Sequence, residues 1–392
     1  MNIRILHSIA SIDPSYGGPV AVLKGLYNGL KNLGLAPTIL TCSMGDSTRD
    51  KTNAIAFRGA DIFWVKPLIR RYYWDPFLIL KIGKRLRDFD LFHVHGVFNG
   101  ISSAVCRLAR SLNIPYVLEP LGTLSPYCLA KSSFKKKISL AFGELRNIQN
   151  AAAIKFTSEA EYQRFNFNFH TRYGFVLGNG LDWMEFRQLP KPGKFREKFN
   201  ISKNEIVFLF LGRLQPIKGL EIFLPAFMQW RESQSQWMRF VIVGPDEAGY
   251  RKKLENLVID LKANNTILFT GPLYAEDRVQ AMVDSDVIVL PSFHENFGIT
   301  SVEGMACRKP VLISDQVDIW PEVKKFDLGE VARLNTDNMI AALNRMILRK
   351  NEWSIIGDRG RIWAKEKCNW DKISEVLFGE YLKIISTRKV NS

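Results

Sequence analysis

Two stretches in the second half of the chain carry residue types that could hold a phosphorylated, hydroxyl-rich ligand. In Leu211-Gly-Arg213-Leu-Gln-Pro-Ile-Lys218-Gly219-Leu220-Glu221, two cations follow an apolar run that reads as a strand, and they flank the entry to a helix. Free N–H groups and the helix dipole favour an anion there, so Arg213 and Lys218 could clamp a diphosphate. Taken alone, the pair reads equally well as two solvated surface charges. In Pro291-Ser-Phe-His-Glu295-Asn296-Phe297-Gly298-Ile299-Thr300-Ser-Val-Glu303-Gly304, a second apolar strand, Val287–Leu290, leads through a glycine turn into a helix near Thr300. Gly298 would let backbone N–H groups approach a ligand closely. Glu295 precedes the helix and Glu303 lies one to two turns inside it, so both carboxylates can accept from the hydroxyls of one bound molecule. A partner for the helix dipole, worth about 0.3–1 kcal/mol, would account for Glu295 alone. It leaves the second carboxylate unexplained.

Two other strings look like chemistry and are not read so. Asp284-Ser-Asp286 and Asp88-Phe-Asp90 both spell D-x-D, a metal-binding string of other architectures. Each lies just before a buried strand, where aspartates serve turns and helix ends. No metal site is expected.

The elements that must position these residues follow from periodicity. The N-terminal half alternates short apolar runs (Arg4–His7, Thr38–Thr41, Ile62–Val65, Leu91–His95, Tyr116–Glu119, Ala153–Thr157, Phe175–Leu177) with helical patterns around Gly18–Leu33, Phe77–Arg87, Gly100–Leu112, Phe134–Asn147 and Glu159–Phe165. Continuous apolar strands separated by helices imply a parallel sheet covered on both faces. Leu189-Pro-Lys-Pro-Gly-Lys194 reads as a linker. After it the alternation restarts, with strands at Ile206–Leu211, Phe240–Val243, Ile267–Thr270, Val287–Leu290 and Val311–Ser314, and helices from Asn351 to Ile385 close the chain. The expected fold class is α/β, with two Rossmann-like, doubly wound parallel-sheet domains facing across a cleft: 1–185, completed by a final helix at about 365–386, and 195–364.

Composition narrows the partners. A chain of 392 residues with 46% hydrophobic content can bury two or three cores, which excludes a disordered class. No apolar stretch approaches the ~20 residues that span a bilayer, and Met1–Ala10 runs into a strand without a signal-peptide pattern. Five scattered cysteines with no CxxC pair, and five histidines that do not cluster with them, suggest buried thiols in a reducing cytosol. The net charge of +15 is uneven: Met1–Asp182 holds 23 basic against 12 acidic residues, the remainder 31 against 27. A basic half implies anionic company. Its densest run, Lys131-Ser-Ser-Phe-Lys135-Lys136-Lys137 followed by Ile138, Leu140, Phe142 and Leu145, reads either as an interfacial helix or as an amphipathic helix with a solvated face. Nucleic acid is not expected, because no zinc-finger spacing or RNP-type run is present.

Glu295-Asn-Phe-Gly298 followed by Glu303 resembles the E-x7-E signature of retaining glycosyltransferases of the GT-B fold. Leu211-Gly-Arg213 with Lys218-Gly219 resembles the same family's strand-to-helix Arg/Lys motif. The likeness continues through Gly17-Gly18-Pro19, His93-Val-His95-Gly96, Phe156-Thr-Ser-Glu159, Asn179-Gly180-Leu-Asp182, Val243-Gly-Pro-Asp246, Gly271-Pro-Leu273 and the closing Trp370…Tyr381 helix. The chain thus resembles glycosyltransferase family 4, in the subset that builds bacterial surface polysaccharides.

That resemblance implies residue roles. Arg213 and Lys218 would hold the donor diphosphate and Glu303 the ribose hydroxyls. Glu295 and the backbone of Asn296, Phe297, Gly298 and Ile299 would hold the transferred sugar, and the loop through Leu273 would face the base. Gly17 and Gly18 would approach the diphosphate from the other domain. It also implies a retaining hexosyltransferase with neither metal nor cofactor, using a UDP-sugar (UDP-glucose first, GDP-sugars behind it). The acceptor would be a glycan or a lipid-pyrophosphate-linked one, met by a cytoplasmic protein peripheral on the inner membrane face and its anionic surface. One departure stands out: where many relatives carry Pro-His-Gly, this chain has Pro120-Leu121-Gly122, and leucine neither donates nor accepts a hydrogen bond. His95, at a strand end, is the substitute, with a structural histidine as the alternative; Glu119 is another candidate. A nicotinamide enzyme would need G-x-G-x-x-G, which is missing. A nucleotide-sugar epimerase and a non-catalytic sugar-nucleotide-binding subunit remain as rivals.

Overall fold

The computed structural model describes residues 3–130, 133–169, 171 and 173–391; Lys131, at the head of the basic run, lies outside them. The chain divides into two compact units. Unit 1 comprises Met1–Gly180 and Trp370–Ser392, and unit 2 comprises Leu181–Asn369.

Unit 1 is built on a seven-stranded, wholly parallel sheet of β1 (Ile5–Ile9), β2 (Thr38–Cys42), β3 (Ile62–Val65), β4 (Leu91–His95), β5 (Tyr116–Glu119), β6 (Ala153–Phe156) and β7 (Gly174–Val176). The strand order β3-β2-β1-β4-β5-β6-β7 reverses direction between β1 and β4. Unit 2 repeats the plan with six parallel strands: β8 (Ile206–Leu211), β9 (Met238–Val243), β10 (Ile267–Gly271), β11 (Val287–Leu290), β12 (Val311–Ser314) and β13 (Gly329–Ala332). Its order, β10-β9-β8-β11-β12-β13, reverses between β8 and β11. In such sheets ligands bind where the order reverses, beyond the carboxyl ends of the two central strands. The central strands are buried on both faces, which is why they read as unbroken apolar runs; Val207, Phe208, Leu209 and Phe210 are all fully buried.

Unit 1 is completed by the end of the chain. Helix α1 (Gly18–Asn32) carries Gly25 and Gly29 on the side that meets the final helix, α5 (Trp370–Asn391). A β-carbon on Gly25 would lie 1.9 Å from Trp370 Cε2, and one on Gly29 2.1 Å from Ser374 Oγ. Gly180 meets the same indole, 2.5 Å from Cδ2. Beyond this socket, Ile373, Leu377, Tyr381 and Ile384 of α5 recur at helical spacing and join Ile5, Leu26, Leu91 and Val117 in one buried cluster.

The structure departs from the periodicity in several places, among them a helix at Ser47–Ala54 where no pattern is read. The pattern over Phe77–Arg87 yields a helix only at Leu78–Ile82. The stretch Phe134–Asn147 is not one helix but Ser133–Ser139, a π-helical turn at Leu140–Glu144 and Leu145–Gln149; the break falls at Gly143, whose φ of 143° no helix permits. Between Ser314 and Asn351, where the periodicity gives no element, lie the helix Trp320–Lys325, β13 and the helix Thr336–Leu348. Gly329 opens β13 at φ 152°, and a side chain there would strike the Val311 carbonyl.

Gly25→Val should lower the unfolding free energy by roughly 2 kcal/mol or more, because the added atoms displace Trp370 from its socket. Urea unfolding of the full chain reads this, and an unchanged midpoint would show that α5 is not held there.

Candidate active site

In unit 2 both sequence motifs leave the two central strands at the reversal point. β8 ends at Leu211, and Arg213 and Lys218 follow before α3 (Leu220–Glu232); β11 ends at Leu290, and Glu295 follows before α4 (Ile299–Ala306). Three contacts stitch the two loops together. Phe293 N–H donates to Ile217 O at 2.8 Å. Gly219, at φ 70°, backs onto Pro291 so closely that a β-carbon would lie 1.9 Å from its carbonyl oxygen. Lys218 Nζ pairs with Glu295 Oε2. A third loop, after β12, braces the second: Glu295 N–H donates to Gln316 O at 3.1 Å and Asp318 N–H to Glu295 O at 3.0 Å. Gly298, at φ 68°, caps α4 with no room for a side chain beside Val317. The first N–H groups of α4 lack intrahelical partners, which makes its start an anion site.

The other residues expected to hold the ligand lie nearby in sequence or in neighbouring loops of unit 2. Arg213 is largely exposed and held by Glu247, 3.0 Å away. Asn296 lies between Glu295 and the buried Phe297; Ile299 packs on the core. Leu273 is half-buried in the loop after β10. Glu303 is paired with Arg278, which also pairs with Glu185. Burial pushes the Glu303 carboxyl up, and the Arg278 guanidinium works against that. Arg278 went unnoticed in the sequence, since nothing in an amphipathic helix 25 residues upstream announces a partner for Glu303.

Of the D-x-D strings, Asp90 accepts from Arg4 N–H at 2.9 Å, and the two aspartates of Asp284-Ser-Asp286 have structural duties in unit 2. Asp284 is buried and accepts from the backbone N–H groups of Gly193 (2.6 Å) and Phe195 (2.7 Å), while Asp286 accepts from Val207 N–H (2.7 Å) and Arg196 (2.9 Å). They anchor the linker to the sheet.

In unit 1, Gly17 at φ 81° and Gly18 lie in open space, where a β-carbon would meet nothing within 4 Å. Packing therefore gives no reason for glycine at 18; close approach of a ligand would. His95 sits inside the protein, not at its surface. Its Nδ1 is 2.8 Å from Glu119 Oε2 and its Nε2 2.9 Å from His7 Nδ1. Lys155 pairs with Glu119, and His93 Nδ1 meets the Tyr381 hydroxyl at 2.5 Å. All six side chains are buried, and ring nitrogens of His7, His93 and His95 lie within 4.8 Å of one another. Three of the five histidines thus converge, although they are far apart or merely alternate in sequence. Burial foremost, then the neighbouring imidazoles, keeps His7 well below the ordinary histidine range; burial lowers His93 to about 3. Burial alone would push Glu119 up, but Lys155 and the two histidines override it and hold the carboxyl well below its usual range. Glu119 is therefore closed off from any substrate. The five cysteines are free thiols.

A family model described as glycosyl transferases group 1 matches residues 193–361, and one described as a glycosyl transferase 4-like domain matches 17–172. The chain belongs to the family-4-type glycosyltransferases. An uncharacterised glycosyltransferase of Methanocaldococcus jannaschii is 24% identical over 93% of this chain and 94% of its own. Among solved structures, Anabaena Alr3699/HepE in complex with UDP and glucose superposes with a TM-score of 0.76 at 20% identity, covering 97% of this chain and 99% of that one. WaaG, a glycosyltransferase involved in lipopolysaccharide biosynthesis, gives 0.73 at 14% identity, covering 95% and 99%. These likenesses show the fold, and it is GT-B. In this glycosyltransferase Leu121 holds a left-handed backbone at φ 55°, followed by Gly122 at φ 74°. Buried Glu161 accepts from Gly122 N–H at 2.8 Å and keeps the turn in place. A β-carbon-bearing residue rarely occupies that region, so the turn holds Leu121 in an unfavourable backbone conformation.

The buried histidines set a pH dependence. His7 and His93 stay neutral when folded, whereas an unfolded histidine takes a proton below about 6.5; protons therefore favour the unfolded chain as pH falls through 6.5. Each histidine should remove about 2 kcal/mol between pH 7.5 and 5. Glu119, with its folded value depressed, adds a further loss as pH falls below its unfolded value of about 4.5. Melting temperatures across this range should fall steeply, and His93→Asn should flatten the slope. A flat wild-type profile would contradict the assignment.

Proposed function

We propose that this glycosyltransferase moves a hexose from a UDP-sugar, UDP-glucose first, to a glycan or lipid-pyrophosphate-linked acceptor in bacterial polysaccharide biosynthesis. It does so with retention and without a metal or other cofactor. The observation that carries this reading is the Lys218–Glu295 contact at the β8/β11 reversal point, which sets a diphosphate-binding cation and a sugar-binding carboxylate one side chain apart. Alr3699/HepE, with UDP and glucose bound on the same fold, and WaaG, with its part in lipopolysaccharide biosynthesis, support the donor and the setting.

Each residue then has a task. As the glycosidic bond to the leaving phosphate breaks, negative charge grows on the diphosphate. Lys218, Arg213 and the start of α4 stabilise it as fixed charges and dipoles, a task a metal ion performs in other enzymes. Glu295, with the backbone of Asn296, Phe297, Gly298 and Ile299, accepts from and donates to the sugar hydroxyls. Glu303, oriented by Arg278, takes the ribose, and Leu273 borders the base. Unit 2 is accordingly the donor domain and unit 1 the acceptor domain, with Gly17 and Gly18 assigned to the diphosphate. His95 acts through Glu119 and His7 on the shape of unit 1. Among the described residues no helix is long and apolar enough to cross a membrane. The proposed location is the cytoplasm, peripheral on the inner membrane face.

A screen of UDP-, GDP-, ADP- and dTDP-sugars for binding and slow hydrolysis, with EDTA present, tests the reading. One UDP-sugar should bind and turn over. Glu295→Gln should cut turnover by about 100-fold or more while nucleotide affinity changes little. Lys218→Ala should weaken nucleotide binding directly. Unchanged kinetics in both variants would sink the site, and an epimer in place of a glycoside would convert the assignment to an epimerase.

A further inference from the structure

We infer that unit 1 docks on an anionic lipid bilayer through a two-part surface made by residues 66–87 and by the described residues of a second segment, 126–130 and 133–146. The two segments are distant in sequence, yet they flank one helix, α2 (Gly100–Ser111). A β-carbon on Gly100 would touch the Trp74 backbone at 2.4 Å, Lys136 Nζ sits 5.5 Å over the Phe98 ring, and Glu144 bonds Ser103. Both segments therefore meet within the few residues that start this helix.

What they expose is unusual for a soluble surface. Leu68 is 68%, Leu80 79%, Phe134 74% and Phe142 86% exposed, with Tyr72 and Phe77 also exposed between them. Within the two segments the exposed charge has one sign. Lys66, Arg70, Arg71, Lys84, Lys135 and Lys137 are exposed, whereas the only acidic residues in the two segments, Asp75 and Glu144, are buried. Asp75 pairs with Lys81 and accepts from Phe77 N–H at 2.9 Å; Glu144 bonds Ser103 and Asn147. The acids face inward and the cations outward. The helical backbone breaks at Gly143, one residue after the exposed Phe142.

This chemistry selects the occupant. A second copy would set like charge against like. A nucleic acid would match the cations but has no use for exposed Leu68 and Leu80. Apolar side chains that enter the acyl boundary, with Lys and Arg at headgroup level and Tyr72 between, match an anionic bilayer. The surface deepens the proposed lipid-linked acceptor by giving unit 1 a way to meet it, and rests on that reading only for its purpose.

The test is co-sedimentation of the full chain with vesicles of phosphatidylcholine, alone or mixed with phosphatidylglycerol, at low and high salt, with donor hydrolysis measured in parallel. Partition to the anionic vesicles should be at least about tenfold stronger and should weaken with salt. The pairs Phe134→Ser with Phe142→Ser, Leu68→Ser with Leu80→Ser, and Lys135→Glu with Lys137→Glu should each lower it about fivefold or more, with donor hydrolysis and melting temperature unchanged. Equal partition to both vesicles, or none, overturns the proposal. Loss on charge reversal alone, or from one segment alone, overturns it too, because it would leave simple adsorption or a single patch. Vesicle binding with no hydrolysis of any donor would instead overturn the proposed activity and leave the docking surface standing.

Discussion

Gly219 has no side chain because the carbonyl of Pro291 occupies the place where one would begin. That single approach brings the loop after β8 against the loop after β11, and the arrangement of unit 2's ligand-holding residues follows from it. Two parallel strands side by side send their following helices to opposite faces of the sheet, so the loops would otherwise diverge. The left-handed glycine, the Phe293–Ile217 hydrogen bond and the bracing of Glu295 by the loop after β12 hold them together. Lys218 and Glu295 then meet without either loop being long. The backbone frame thus fixes where these two charged side chains meet.

The same topological position in unit 1 is filled differently. Where unit 2 leaves charged side chains half-open, unit 1 buries Glu119, Lys155 and three histidines at the carboxyl ends of β1, β4, β5 and β6. A buried ion pair is tolerated only when its remaining polar atoms find partners. Here the partners come from four strands and from Tyr381 of the last helix, so the cluster ties α5 to the sheet by polar contacts as well as by packing. Two atoms stand apart: His7 Nε2 and His93 Nε2 are buried with no hydrogen-bond partner among the described residues, although His93 Nε2 lies 3.4 Å from Glu119 Oε2. The cluster draws its contacts from five elements, four strands and the last helix.

Much of this was legible in the sequence, and the rest was not for identifiable reasons. Ile206–Leu211, Val287–Leu290 and Val311–Ser314 coincide with observed strands to the residue, because strands buried on both faces show as uninterrupted apolar runs. Arg213, Lys218, Glu295 and Glu303 could be picked out since each lies next to such a strand or the helix after it. The histidine cluster could not, because only the lateral order of strands brings positions 7, 93, 95, 119 and 155 together, and strand order leaves no local trace. β13 escaped notice because Gly-Glu-Val-Ala at a sheet edge has neither alternation nor an apolar run. The helical pattern over Phe134–Asn147 was real in period, but one glycine ended it. The apolar residues between Leu68 and Leu80 carry no periodicity, so their exposure was visible only in three dimensions.

The division of the chain has a consequence for how it folds. Unit 1 is sewn from both ends of the sequence, with all of unit 2 inserted between Gly180 and Trp370. As a disordered loop, an insertion of that length would have to be closed against its own entropy before the last helix could find its socket. Once folded, unit 2 holds its two ends side by side: Leu181 N–H donates to Cys368 O at 2.8 Å, and Leu181 bridges Asn369. The insertion then behaves as a short tether, delivering Trp370 next to Gly180. A helix that follows unit 2 in the chain finishes the domain begun before it, and the domain in between brings it there. Loosening unit 2 anywhere near Leu181 or Cys368 would therefore weaken unit 1 without touching a single residue of it.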